Sequence, residues 1–293
     1  MHKHDRYRRS SEEKTITIRG VDKNLYEEFI GLTKAWGRNI GFAFSRIISY
    51  YGKSHPFGSG LHSILKRMHK PSPSLEVIEG LDDLTISKKD LTEAGNVKYY
   101  FKSIGKLVFD EEIDNRTLLH HVYEIRDCQV KMPETVSSLL FHSLVRNPPE
   151  YIPVDENLKD VTIRNVEKDT YDDFVATCQL KKKKIGDAVN EIFSRLIPEM
   201  EYRHILLLDL QVDPEDVLVV TSLDRLEAQA RDLAEIQGRK ILFHRIKELI
   251  FAQEVEKANF ISAVIGIYNC DKVKLPPAVP RLIRISRVKE YPR

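Results

Sequence analysis

Two short segments of the sequence alternate apolar residues with threonine and arginine. Such alternation predicts a half-buried β-strand, with one set of side chains turned outward. Arginine can form two hydrogen bonds to guanine O6 and N7, and threonine can bond a base edge or touch a thymine methyl group. The outward residues could therefore contact nucleic-acid bases: Thr15, Thr17 and Arg19 in one segment, and Thr162 and Arg164, together with Asp160, in the other.

Two helical patterns follow each segment. After the first, Asp22 can cap a helix whose apolar residues recur at helical spacing from Tyr26 to Thr33. A turn at residues 37–39 then precedes a second helix from Ile40. A unit with a lone strand and two short helices cannot bury both helical stripes alone, so it needs a partner unit.

The chain itself supplies that partner, because its sequence is written twice. Residues 16–48 align without a gap to residues 161–193, with about a third of the positions identical. A second block, beginning at Ser103, matches one beginning at Arg245, with one residue inserted after the shared Cys128 and Cys270. The order of blocks is A, B, A′, B′, which indicates an internal duplication.

The A blocks resemble the ribbon-helix-helix family of the Arc and MetJ repressor type. The resemblance rests on I-T-I-R from Ile16 and V-T-I-R from Val161, on the L-Y-E-E-F and T-Y-D-D-F helix openings, and on the G-R-N-I turn. It covers about a quarter of the chain. It implies that two strands pair antiparallel, enter the major groove and read bases with Thr15, Thr17, Arg19, Thr162 and Arg164.

The same resemblance implies phosphate contacts at the N-termini of the second helices. Those positions are Arg38, Asn39 and Ile40 in the first unit and Lys183, Lys184 and Ile185 in the second, and Arg8 and Arg9 of the basic arm add positive charge. Lys184 stands where the family places a small polar cap, Asp160 would repel phosphate, and the family's proline after the strand is missing from both units. We therefore expect weaker DNA binding by the second unit.

The B blocks contain recurrent apolar steps that weakly resemble leucine-rich-repeat strands. Four of them are 81–84–86, 104–107–109, 125–128–130 and 205–208–210, and the stretch 223–237 has the pattern of an amphipathic helix. Parallel strands with intervening helices are expected. Such a stack could hold a protein partner or act only as a spacer.

Composition and motifs limit the other classes. The formal net charge is only +2, so any basic surface must be local, and no run of 18 apolar residues or signal-peptide core occurs. Three widely spaced cysteines suggest core residues rather than disulfides or zinc ligands. No phosphate-binding or nucleophile motif is found, and His120 and His121 have no counterpart in the sister block. We expect no catalysis, cofactor, metal or membrane association, and a cytoplasmic (nucleoid) location.

The sequence thus predicts a mixed α+β chain in which two ribbon-helix-helix units, paired within one chain as a pseudo-dimer, alternate with two leucine-rich-repeat-like stacks. Higher oligomers remain open. The expected function is sequence-specific binding of double-stranded DNA, as a transcriptional regulator (repressor) or nucleoid-associated protein. The alternative is a protein-interaction scaffold whose A blocks only pair, as in antitoxins. The expected segments are a basic arm 1–14, unit one 15–51, a linker 52–74, stack one 75–146, a proline-rich linker 147–159, unit two 160–198 and stack two 199–293.

Overall fold

A computed structural model describes residues 12–49, 51, 74–93, 95–146, 157–236 and 238–290. The chain divides into two compact units. The first, here called the ribbon unit, consists of residues 1–64 and 150–197, and the second, the repeat unit, of residues 65–149 and 198–293. Helices and strands are mixed, and most of the sheets are parallel. The predicted contacts Arg8 and Arg9 lie outside the described residues.

The elements of the first half, in chain order, are β1 (Glu13–Asp22), α1 (Lys23–Ala35), α2 (Ile40–Ile48), β2 (Ser74–Glu79), β3 (Asp83–Ile86), α3 (Lys88–Glu93), β4 (Val97–Lys102), β5 (Lys106–Phe109), α4 (Asn115–His121), β6 (Val122–Arg126), β7 (Val130–Lys131), α5 (Ser138–Leu144) and β8 (Val145–Arg146).

The elements of the second half are β9 (Leu158–Glu167), α6 (Lys168–Leu180), α7 (Ile185–His204), a π-helical turn (Ile205–Asp209), a 3-10 turn (Pro214–Asp216), β10 (Val217–Thr221), β11 (Arg225–Ala228), α8 (Ala230–Glu235), β12 (Lys240–His244), β13 (Glu248–Phe251), α9 (Lys257–Ala263), β14 (Val264–Tyr268), β15 (Lys272–Lys274), α10 (Arg281–Arg287) and β16 (Val288–Lys289).

The ribbon unit is built on a two-stranded antiparallel sheet, β1 with β9. Ile16 pairs with Ile163 and Ile18 with Val161, and all four side chains are buried. The helices bury their apolar stripes on this face: the rings of Phe29 in α1 and Phe193 in α7 stack with centroids 4.7 Å apart. Period-two alternation in the strands and helical spacing after them therefore converge on one core.

Helix capping follows the sequence in the first copy and changes in the second. The Asp22 side chain accepts hydrogen bonds from the N–H groups of Asn24 and Leu25, so the predicted cap of α1 is confirmed. The Asn39 side chain accepts from the N–H of Phe42 at the start of α2. Lys184 precedes α7 at the equivalent point, and an ammonium group has no acceptor to offer. The side chain of Lys184 therefore cannot cap the first N–H groups of α7.

The repeat unit consists of parallel sheets, as predicted for the B blocks. Strands β2, β4, β6 and β8 form one sheet, β3, β5 and β7 a second, and the other half of the unit repeats this order with β10 to β16. Apolar residues of both halves, including Leu107 and Leu249, belong to one buried cluster. The two B blocks therefore share a core.

Three details of the B-block interpretation are wrong. Residues 205–209 form a π-helical turn that continues α7, not a strand. The stretch 223–237 was predicted to be one helix, but it contains the strand β11 as well as the short helix α8, because Leu226 pairs with Leu249 in a parallel sheet. The step at 125–128–130 is out of register, since Ile125 pairs with Phe101 and Val130 with Leu107.

Candidate nucleic-acid interface

The outer face of the β1–β9 sheet carries the five side chains predicted to read bases. Thr15, Thr17, Arg19, Thr162 and Arg164 are all exposed, and the residues between them are buried or lie at the core face. Thr17 and Thr162 are direct partners in the ladder, with their Oγ1 atoms 3.3 Å apart. This pair marks the centre of a face that presents a threonine and an arginine from each strand.

The two arginines have different surroundings. The Nε atom of Arg19 lies 4.0 Å from Oδ2 of Asp160, and both side chains are largely exposed. Among the described residues, Arg164 has no ion pair, and it lies where the register of the ladder shifts, between the pairs Ile16–Ile163 and Lys14–Val166. Asp160 therefore lies beside the arginine of the first unit, across the ladder from its own strand.

At each end of the sheet, one lysine contacts a tyrosine ring and a carboxylate, and these contacts were not predicted from the sequence. Lys14 Nζ lies 2.5 Å from Oδ1 of Asp172 and 4.6 Å from the ring centre of Tyr171. Lys159 makes the matching contacts with Glu27 at 3.3 Å and with the ring of Tyr26 at 5.2 Å. These residues occupy equivalent positions of the two A blocks, so comparison of the blocks for lysine, tyrosine and acidic residues could have found them.

A glycine brings each second helix against the opposite strand. Gly41 is the second residue of α2, and a Cβ atom there would lie 2.0 Å from the carbonyl oxygen of Arg164. Gly186 is the second residue of α7, and its Cβ would lie 2.2 Å from the carbonyl oxygen of Arg19. Each helix N-terminus is thereby held beside the arginine of the other A block. Gly41 and Gly186 align in the two blocks, which is the signal that could have revealed this contact.

The strand bends directly after each arginine. Gly20 and Asn165 have φ values of +71° and +59°, in the left-handed region that glycine and asparagine tolerate best. Beyond each bend, a side chain of the opposite second helix accepts a strand N–H: Asn190 Oδ1 from Asp22 at 2.8 Å and Ser45 Oγ from Glu167 at 2.9 Å. These hydrogen bonds, one buried and one half-buried, fix the ribbon against both second helices.

The predicted phosphate contacts surround the two helix N-termini. Arg38, Asn39 and Lys184 are exposed, and Ile40 and Ile185 are half-buried. Lys183 is also exposed, but its ammonium group already pairs with Glu191. Because the positive end of a helix dipole attracts anions, both N-termini are suited to bind phosphate through backbone N–H groups.

The repeat unit contains a buried cluster of titratable side chains that hydrogen-bond to one another. His244 is fully buried between the Thr221 hydroxyl, 2.9 Å from Nδ1, and the Glu201 carboxylate, 3.3 Å from Nε2. Burial lowers the pKa of His244 below its usual 6.5. Glu201 also accepts a hydrogen bond from Arg245 at 2.6 Å, so this cluster ties the end of α7 to β12.

Histidine and cysteine side chains do not assemble into a metal site in the described part of the chain. No group of three or more His, Cys, Asp or Glu side chains there could hold an ion. Cys128 and Cys178 are buried, and burial raises the pKa of the Cys270 thiol to about 11. His121 lies 3.4 Å from the carbonyl oxygen of Val97, within the stack.

Comparisons with family models, with characterised proteins and with solved structures gave no match. Within the described residues, no helix is long and apolar enough to cross a membrane.

Proposed function

We propose that the ribbon unit is a ribbon-helix-helix pair formed within one chain, and that it binds double-stranded DNA sequence-specifically through the outer face of β1 and β9. The protein would act as a transcriptional regulator or nucleoid-associated protein, with no cofactor and no reaction of its own. The exposed threonine and arginine face, centred on Thr17 and Thr162, is the observation that carries the proposal.

The dimensions of the sheet suit a major groove. Paired strands lie about 4.8 Å apart, and the groove of B-form DNA, about 12 Å wide, admits a two-stranded ribbon. Both arginines and three threonines lie on the face that would enter. The inner face is closed by the helices, so within the described part of the ribbon unit the outward side chains, these five together with Asp160, are the ones turned toward a groove.

The helix N-termini add a second type of contact. The glycine contacts place the start of α2 beside Arg164 and the start of α7 beside Arg19. Base-reading groups and phosphate-binding N–H groups therefore alternate across the unit, as recognition of a duplex requires, because phosphate contacts set the register and base contacts give specificity.

The two halves of the ribbon are not equivalent readers. To engage a guanine, Arg19 must leave Asp160, although an exposed pair of this kind contributes at most about 1 kcal/mol. The carboxylate would also lie near the phosphates or accept a hydrogen bond from a cytosine amino group. Among the described residues, Arg164 has no ion pair to break before it engages a base. The proposed site is therefore asymmetric, with the stronger arginine contact from Arg164.

Selection of binding sites from random duplexes tests the proposal directly. Discrimination between the enriched sequence and scrambled duplex should fall by about 1–3 kcal/mol in Arg164→Ala, because a bidentate contact to guanine is lost. It should fall by less in Arg19→Ala. Asp160→Asn should strengthen binding. Arg225→Ala is the matched control, since Arg225 is also an exposed strand arginine with an ion pair, to Glu248, but lies in the repeat unit.

Two outcomes would contradict the proposal. If no duplex were enriched at low salt while the chain remained folded, the A blocks would serve pairing alone, as in the scaffold alternative. If Arg164→Ala kept the full discrimination of the parent chain and Arg225→Ala did not, the reading face would be misassigned.

A further inference from the structure

The repeat unit contains an internal docking contact between its two halves. Helix α5, the last of the first half, packs against β10 and α8, the first strand and helix of the second. Leu139, the second residue of α5, is 1% exposed and belongs to the same buried cluster as Leu218 of β10 and Leu233 of α8. Asn115, the first residue of α4, donates a hydrogen bond to Glu235, the last residue of α8, over 2.8 Å.

The end of the second half presents the same elements without a cover in the described chain. Helix α10 is the counterpart of α5, and none of its residues is buried. Leu282, in the position of Leu139, is 78% exposed, and Ile285 is 61% exposed. We call the outer surface of α9 and α10 the tail. Its exposed charges include Lys257, the counterpart of Asn115, and Arg281.

The start of the first half is the counterpart of the surface that α5 covers. Strand β2 and helix α3 correspond to β10 and α8, and we call their outer surface the head. Leu75 and Leu81 are 37% and 41% exposed there. Most of the exposed charges of β2, of the residues that follow it and of the end of α3 are acidic: Glu76, Glu79, Asp82, Asp83 and Glu93. Lys89 of α3 is an exposed base, and its Nζ lies 3.4 Å from the Glu93 carboxylate.

Head and tail are complementary in both charge and position. Glu76 stands at the head where the internal contact has Leu218, and the tail offers the exposed Arg281 where α5 has Ser138. Glu93 and Lys257 stand where Glu235 and Asn115 form their hydrogen bond. An internal hydrogen bond would thus be replaced by an ion pair between two copies.

We propose that the tail of one molecule docks on the head of a second copy of this chain, in the manner in which α5 docks on β10 and α8 within the chain. Such a contact is heterologous, because different surfaces meet, and it continues from molecule to molecule unless the rotation closes a ring. The contact involves no residue of the ribbon and does not depend on DNA binding.

Sedimentation velocity of the full chain without DNA, over a range of concentrations at low salt, tests the proposal. The parent chain should form concentration-dependent oligomers that dissociate as salt increases, because oppositely charged surfaces are screened. Leu282→Asp and Glu93→Lys should each weaken association by about tenfold or more, since each removes a central contact. Both positions are exposed, so folding is expected to persist, and circular dichroism melting would establish it.

A mixing experiment separates this contact from any symmetric dimer. Leu282→Asp keeps an intact head and Glu93→Lys keeps an intact tail, so each variant alone should be monomeric, while an equimolar mixture should form a dimer and nothing larger. The double variant Glu93→Lys with Lys257→Glu should recover association, because the ion pair is restored with reversed charges. Leu180→Asp is the control, since Leu180 is 86% exposed but lies in the ribbon unit.

A parent chain that stays monomeric at every concentration would overturn the proposal. That result is expected if residues of the same chain cover the head. Oligomers that persist unchanged in both single variants, or a mixture that remains monomeric, would also overturn it. None of these results bears on selection of duplex DNA, so failure here and failure of the proposed DNA binding can be told apart.

Discussion

Replacement of Gly41 by alanine should destabilise the ribbon unit, although alanine is the better helix former, because Gly41 is buried at the start of α2. The new Cβ atom would lie 2.0 Å from the carbonyl oxygen of Arg164 and 2.4 Å from that of Asn165, whereas carbon and oxygen rarely approach closer than about 3.3 Å. The start of α2 must therefore retreat by more than about 1 Å.

The cost can be estimated from what this retreat disrupts. Overpacking costs about 1–3 kcal/mol, and loss of the hydrogen bond from Glu167 N–H to Ser45 Oγ leaves a donor unsatisfied, at about 1–3 kcal/mol more. Alanine regains about 0.5–1 kcal/mol of helix propensity. The expected net loss is about 1–5 kcal/mol, a large part of the roughly 5–15 kcal/mol that stabilises a domain.

Fluorescence of the single tryptophan measures this loss in the correct unit, because Trp36 directly follows α1 in the ribbon unit. Urea unfolding of Gly41→Ala and Gly186→Ala should show lower midpoints than the parent chain. Gly31→Ala is the matched control: a Cβ at Gly31 meets nothing within 4 Å, so this change should raise the midpoint. Equal midpoints for Gly31→Ala and Gly41→Ala would refute the close packing of helix and ribbon.

Three further outcomes are expected. Affinity for a selected duplex should fall steeply with salt, with a logarithmic slope of about −4 to −7, because about 4–8 phosphates are neutralised; a flat titration would contradict phosphate binding. With the native cysteines replaced, the double variant Thr17→Cys with Thr162→Cys should oxidise at low protein concentration to a crosslinked species of monomer mass, because these residues face each other in the ladder. Exclusive formation of covalent dimers would instead place the ribbon between chains. The pKa of His244 is lowered in the folded repeat unit, so as pH falls below about 6.5 the unfolded chain takes up a proton before the folded chain does. The free energy of unfolding, followed by near-ultraviolet circular dichroism, should therefore fall from about pH 7.5 to about pH 5.5. The variant His244→Gln should reduce this dependence on pH.

The outer face of the ribbon could be predicted because it depends on local sequence. In residues 15–19 and 161–164, period-two alternation alone determines which side chains are buried. The neighbours across the ladder depend on the register between distant strands, so the closeness of Arg19 to Asp160 could not be foreseen. We expected that carboxylate to weaken the second unit, and the local sequence gives no sign that it also lies beside Arg19 of the first unit.

Parallel strands in the repeat unit were predictable, but their boundaries were not. Leu223 and Leu226 have helical spacing, and this pattern also suits a strand followed at once by a short helix. The neighbouring strand β13 decides between them, because Leu226 pairs with Leu249. Likewise, the leucines of residues 205–210 fit a repeat strand in isolation, yet the preceding helix α7 extends into them as a π-helical turn.

The covalent union of two unlike halves gives the proposed complex a polarity. A ribbon assembled from identical chains has a two-fold axis, so it cannot distinguish one direction along the duplex from the other. Here Asp160 lies beside Arg19 on one side of the Thr17–Thr162 centre, whereas Arg164 on the other side has no ion pair among the described residues. A bound molecule would point one way along its site, and the orientation of that site in a genome would then carry information that a palindrome cannot.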